Sequence, residues 1–356
     1  MSEKKNHHYV PQFYLRNFSN DDKQIAIGLY LHEKNIFTTT AIDNIASKKY
    51  LYGRDNVVED ALAQLEGDIA KLFKIWIPGF YPPPPNSPAF AAVKHFILIQ
   101  IFRTIKAGKD LSEGLNTGFQ SILAIMNKDK NVVPDLTLVQ DDPVLLSLIY
   151  TGDKLPLMDF LKAKTLVNLT DFPFISSDNP VIRYNQWMES KGLILGATGI
   201  AVKGLQIFFP IHPRIMICLY DPKIYKCGNK DEDFVKIELE SDIHQLNGLQ
   251  YLSSDKSLFF DNNISEKYLH HLATSYQYKR TENRHSSTVS ENGVFPNGTP
   301  NYFILNSFVD PHIKLNLSFF RILKKAKNTK LPNNLPIPRD ESFYEIQRRE
   351  DRRFFS

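Results

Sequence analysis

Lys164-Thr165-Leu166-Val167-Asn168-Leu169 marks the place where the chain turns from helical spacing to strands. Phe172–Ser176, Val181–Tyr184, Leu205–Phe209 and Arg214–Tyr220 continue the same β-like pattern. Upstream the pattern is helical. Residues Val57–Lys74 set Val58, Leu62, Leu65, Ile69, Leu72 and Phe73 on one face. Pro78-Gly79 predicts the end of that helix, and Pro82-Pro83-Pro84-Pro85 a stiff polyproline loop. Ser87-Pro88 is a helix start, with a serine to cap and a proline suited to the first turn. That helix is expected to run through Phe102 to about Lys106, with others over Glu113–Met126 and Pro143–Tyr150.

Before the helices, Gln24–Thr40 reads as a hairpin turning at Glu33-Lys34-Asn35. A short helix over Ile42–Ala46 and a strand at Lys49–Tyr52 follow it. After the strands, helices return at Asp242–Tyr251 and Ser265–Tyr278. Arg280–Asn301 reads as a polar loop and Phe303–Leu323 as a final strand pair. Helices and strands fall in blocks, not in βαβ alternation, which predicts an α+β fold. The expectation is a single interwoven domain over residues 1–326. It has an N-terminal β-hairpin, a central helical block at about 56–150 and a mixed or antiparallel sheet at about 162–323. Residues 327–356 form a proline-punctuated charged tail ending in Arg348-Arg349-Glu350-Asp351-Arg352-Arg353-Phe354-Phe355-Ser356.

The composition, 42% hydrophobic and 23% charged, is that of a soluble globular protein. A net charge of +4 permits a nucleic-acid partner without requiring one. No apolar core follows the opening Met-Ser-Glu-Lys-Lys-Asn-His-His, so no secretory signal is expected. The longest apolar stretch, Ala89–Phe102, is broken by Lys94, His95 and Gln100 and is too short for a bilayer. Cys218 and Cys227 are the only cysteines, which argues against a disulfide scaffold or thiolate zinc site and points to the cytoplasm.

Several segments carry candidate chemistry. The run Asn6-His7-His8-Tyr9-Val10-Pro11-Gln12-Phe13-Tyr14-Leu15-Arg16-Asn17-Phe18 is too aromatic for a frayed terminus and is expected to dock. His7 and His8 supply proton transfer, phosphate contact or a metal ligand; on an extended segment they point opposite ways, so one faces a site. A solvated pair or a docking hydrogen bond is the plainer alternative. Arg16 offers a bidentate fork for an anion, or pairs locally. Glu59 and Glu66 lie two turns apart on an otherwise apolar stripe, where a lone carboxylate is costly. Gln100 and Arg103 share a face of a very apolar helix and must find partners, either an anion or Glu66. In Phe174-Ile175-Ser176-Ser177-Asp178-Asn179-Pro180 a strand runs into a turn that presents Ser177, Asp178 and Asn179 to a site or caps itself. Asn247, flanked by His244 and Gln250, completes the set.

No GxGxxG turn, phosphate loop, HExxH motif, GxSxG elbow or kinase signature is present. The run from His7 to Phe18 and the Phe174–Pro180 segment resemble the family called domain of unknown function 4238. Asn44-Ile45-Ala46 before Tyr52, Glu59 with Glu66, Gln100 with Arg103, and Asn247 support the likeness, over roughly residues 6 to 275. One departure is Ile105 after Arg103-Thr104, where the family commonly has proline. The resemblance implies a bacterial intracellular protein, with some members among candidate anti-phage defence proteins.

Together these readings predict an enzyme acting on a phosphate-containing substrate, a nucleic acid or nucleotide, such as a metal-dependent hydrolase or nuclease. His7 or His8 would move a proton, and Glu66 and Asp178 would hold a divalent metal or orient the histidine. Arg16 and Arg103 would neutralise phosphate, with Gln100, Ser177, Asn179 and Asn247 binding substrate. The competing expectation is a non-enzymatic binding or sensor module whose polar cluster is a structural network.

Overall fold

The computed structural model describes residues 5–19, 21, 23–126, 142–149, 151, 154–280, 285–294, 300–308, 311–331 and 336–340. Residues 348–353, the alternating charges of the tail, lie outside them. The fold is α+β, as the block pattern predicts. Strand β1 (Asn6–His8) leads through Pro11 into a short helix α1 (Gln12–Leu15) and a 3₁₀ turn, Arg16–Phe18. The predicted hairpin is β2 (Ala26–Leu31) with β3 (Ile36–Ala41), turning at Asn35 with a φ of 49°. A 3₁₀ turn at Ile42–Asn44 precedes β4 (Ser47–Lys49), which pairs antiparallel with β1. The strand expected at Lys49–Tyr52 therefore lies slightly earlier, and Tyr50 turns with a φ of 53°.

Helix α2 (Val57–Gly79) carries Pro78 in its last turn and ends at Gly79, where the Pro78-Gly79 pair predicts. Helix α3 (Pro88–Phe102) is capped as expected, the Phe90 N–H donating to Ser87 Oγ at 3.1 Å. It stops at Phe102 instead of reaching Lys106, and α4 (Ile105–Met126) departs at 59°. Short helices α5 (Pro143–Ile149) and α6 (Leu155–Met158) lead into the sheet.

The principal sheet holds five strands in the order β11-β5-β9-β8-β7: β5 (Lys162–Asn168), β7 (Ile182–Tyr184), β8 (Gln206–His212), β9 (Ile215–Tyr220) and β11 (Phe234–Ile237). Only β11 with β5 is parallel, so the sheet is mixed. Both of its faces are covered. Ile207, Phe209, Ile211, Ile215, Ile217 and Leu219 pack against α2, α3 and the N-terminal segment. Phe208, Met216, Cys218 and Tyr220 pack on the other side against α8 (Glu240–Ser253) and the Leu315–Phe320 segment. This two-sided burial explains why these strands read as continuous apolar runs.

A second sheet, β3-β2-β12-β6, brings β12 (Ser257–Phe260) and β6 (Ser176–Ser177) onto the hairpin. Most of Phe172–Ser176, expected as strand, is irregular. Helix α7 (Gln186–Ser190) follows β7, and α9 (Glu266–Arg280) packs on α8. The segment expected as a polar loop contains β13 (His285–Val294), paired antiparallel with β14 (Pro300–Phe308). β15 (Phe320–Ile322) pairs instead with β10 (Tyr225–Cys227), so the final strand pair does not form within Phe303–Leu323. The short helix α10 (Lys324–Lys327) follows, and Pro338 then bridges to Val202 with Arg339 buried beside it.

Candidate functional site

The β1–β4 pairing decides how the two histidines are used. Neighbours on a strand face opposite ways, and here His7 turns inward with no exposure while His8 is half-buried. His7 Nδ1 accepts the Tyr52 N–H at 3.2 Å, and Nε2 sits 3.0 Å from Asn56 Oδ1. Its ring stacks on Tyr52 at 5.7 Å. His8 Nε2 lies 3.2 Å from Gln12 Nε2, and Gln12 Oε1 accepts from Arg16 Nη2 at 3.0 Å. Burial lowers the His8 pKa, against the Asp43 carbonyl and the Glu66 charge, so the ring favours its neutral form.

The polar residues of α3 clasp this strand. Arg103 is fully buried; Nε donates to the Tyr9 carbonyl at 3.1 Å and Nη2 to the His8 carbonyl at 3.2 Å. Nη2 also meets Glu66 Oε1 at 2.8 Å. Gln100 Nε2 donates to the Tyr9 carbonyl at 2.9 Å. Burial alone would lower the Arg103 pKa, but Tyr52, Glu66 and Glu59 outweigh it and hold the guanidinium charged. Of the two partners the sequence offers Arg103, Glu66 is the one engaged.

The second motif is fixed from below. Both Asp178 oxygens accept backbone N–H groups, Asp255 at 2.8 Å, Lys256 at 2.7 Å and Ser257 at 3.0 Å. Burial nevertheless pushes the Asp178 carboxyl up to about 6 against those three bonds. Ser177 Oγ accepts from the Asn179 N–H at 3.0 Å and from Gln250 Nε2 at 2.5 Å. Asn179 Nδ2 donates to the Ser253 carbonyl at 2.9 Å, and Oδ1 accepts from Thr104 Oγ1 at 3.1 Å. Asn247 accepts from the Ile175 N–H at 3.1 Å and donates to the Pro173 carbonyl at 3.0 Å. The two motifs meet through Tyr14, whose hydroxyl lies 2.6 Å from Ser176 Oγ and donates to the Pro210 carbonyl at 2.7 Å.

The predicted residues thus form two joined networks: His8, Glu66, Gln100 and Arg103 in one, and Ser177, Asp178, Asn179 and Asn247 in the other. Arg16 stays exposed at the edge. Among the described residues no three His, Cys, Asp or Glu side chains stand close enough to hold a metal ion. Glu66 is engaged by Arg103 and Asp178 by three backbone N–H groups, and neither belongs to a cluster that fits the divalent metal expected of them.

A cleft of about 750 Å³ runs between the Pro85 loop, the start of β5 and β10. Five lysines and two aspartates line it. Lys94 is paired with Asp159 at 3.1 Å. Lys164 is buried and donates to the Asn229 and Glu232 carbonyls, tying down the turn before β11. Lys162, Lys226 and Lys230 are exposed and form no ion pair among the described residues. Sequence reading missed them. The available signal was Lys162 and Lys164 at strand spacing, which does not set a cleft apart from a solvated edge.

A family model described as a protein of unknown function, DUF4238, matches residues 6–263. The chain belongs to the DUF4238 family. Neither the curated proteins nor the solved structures compared with it gave a match. The DUF4238 span contains both motifs and the network joining them. It also contains Lys162, Lys226 and Lys230, whereas β15, across from Lys226, lies beyond it.

Proposed function

We propose that this DUF4238 protein is a binding module for a phosphate-bearing ligand, with the lysine-lined cleft as the ligand seat and the histidine–arginine network as scaffold. The carrying observation is that Lys162, Lys226 and Lys230 line a ligand-sized space and form no ion pair among the described residues, while Arg103 and Asp178 are already committed to backbone groups. Three ammonium groups converging on one cleft suit a multiply charged oxyanion. The anti-phage setting implied by the family likeness fits a module that senses or sequesters such a compound.

Calorimetric titration of the full chain with a nucleoside monophosphate tests this. Binding should weaken with added salt and vanish when Lys162, Lys226 and Lys230 are changed together to Gln. His8→Ala should leave it in place. Absence of binding, or equal binding by the triple variant, would sink the reading. A hydrolase or nuclease is the second reading, favoured by one observation: His8 is half-buried, inclined to its neutral form and next to Glu66. It requires that His8→Ala abolish turnover of a nucleic acid or nucleotide without unfolding the protein.

A further inference from the structure

The ribbon at the mouth of the cleft carries an arrangement that the monophosphate reading does not use. β10 and β15 pair antiparallel with Lys226 directly opposite Arg321. Directly opposed residues on such a pair project from the same side, with Cβ atoms about 4.5–5.5 Å apart. Tyr225 and Cys227 on one strand and Phe320 on the other are buried, so Lys226 and Arg321 stand on the outer face, and both are exposed. Neither forms an ion pair among the described residues. Like charges placed directly opposite destabilise a two-stranded ribbon, and this one has only two strands to hold it. An anion lying between the two cations would turn that repulsion into attraction.

Lys226 belongs to both features, lining the cleft and facing Arg321. The cleft also has an apolar side. Pro85, Phe90 and Tyr220 line it, as does Phe160, 37% exposed. Tyr220 lies directly opposite Lys162 on the paired strands, so the lining sets aromatic surface suited to a flat heterocycle beside ammonium groups suited to a run of negative charge. At about 750 Å³ the space is within the range of small-molecule sites.

We infer that the ligand is a nucleoside polyphosphate. Its base lies on the apolar wall beside Phe160, its first phosphate is held by Lys162 and Lys230, and its phosphate chain passes Lys226 to end on the Arg321 fork. This rests on the cleft being the ligand seat. It adds a requirement for more than one phosphate and a role for a residue outside the family span.

The test is calorimetric titration of the full-length protein with adenosine monophosphate and adenosine triphosphate, for the parent and for Arg321→Gln. The parent should bind the triphosphate about tenfold or more tightly than the monophosphate. Arg321→Gln should remove most of that preference and leave monophosphate affinity unchanged. Arg321 is exposed, and an unchanged melting temperature of the variant would show that the fold is intact. Equal affinity of the parent for both nucleotides overturns the inference and leaves the cleft as a phosphate site. A variant that keeps the full preference, or loses both affinities equally, also overturns it. A short single-stranded oligonucleotide that binds more tightly than the triphosphate counts against a free nucleotide. If none of these compounds binds, the cleft reading itself falls.

Discussion

His32 and His212 are histidines that the fold holds neutral. Burial, with Arg280 nearby, pushes the His32 pKa down from 6.5 to about 3. Burial and Arg214 push that of His212 down to about 4. His32 Nε2 lies 2.7 Å from Ser254 Oγ, and His212 Nδ1 accepts the Arg214 N–H at 3.1 Å. A base whose folded pKa lies below its unfolded value resists protonation in the folded state. The stability it contributes is whole above about pH 6.5 and is lost as the pH falls through the folded values. Asp178 runs the other way: raised from 3.8 to about 6, its contribution is whole below the lower value and lost as pH rises through the upper. The histidine effect is therefore best read between variants. Melting temperature should fall from about pH 6.5 to about pH 4 in the parent, and less steeply in a His32→Gln, His212→Gln double variant. Parallel slopes would show that these rings do not titrate on unfolding as argued.

At the scale of elements, α3 separates what local chemistry decides from what tertiary contact decides. Its start is local: Ser87 Oγ accepts the Phe90 N–H and donates to the Pro84 carbonyl at 2.7 Å. Ser87→Ala should destabilise the protein by about 1 kcal/mol in urea unfolding, with Ser87→Thr recovering most of it. An unchanged midpoint for the alanine variant would mean that packing alone sets the helix start. Its end is not local. Nothing in Phe102-Arg103-Thr104-Ile105 breaks a helix by composition; the chain turns where Arg103 reaches the His8 and Tyr9 carbonyls and Thr104 reaches Asn179. The site shows the same division. That Gln100 and Arg103 needed partners was legible from two polar groups in an apolar helix, and Glu66 was one of the partners weighed. That Asp178 would face three N–H groups of Asp255–Ser257 was not, because those groups lie 77 to 79 residues away. Of the β13–β14 hairpin, Phe303-Ile304-Leu305 was legible as strand, whereas β13 was missed because Ser286, Ser287 and Ser290 give it no apolar alternation to read.

Across the whole molecule, the N-terminal segment acts as a core element. Val10, Tyr14, Leu15 and Phe18 have no exposure and lie in the cluster that covers one face of the five-stranded sheet. Asn17 Nδ2 donates to the Ile211 carbonyl at 3.0 Å, and Tyr14 reaches Pro210, so the segment is bonded to β8 as well as packed on it. Burying a large apolar side chain contributes roughly 1.5–3 kcal/mol, which for these four amounts to about 6–12 kcal/mol. Domains have net stabilities of about 5–15 kcal/mol, so losing the segment removes a comparable quantity. Its removal would also strip partners from the buried Arg103 and Ser176 side chains. Deleting residues 1–18 should therefore give a chain with no cooperative thermal transition and no near-ultraviolet dichroism. Deleting only residues 1–4, which stop short of β1, should change the melting temperature little. A cooperative transition in the longer deletion would show that the sheet and helices close without the segment. In that case the His7–Phe18 run would owe its place in the sequence to something other than the fold, and His8 would return as the first position to test for chemistry.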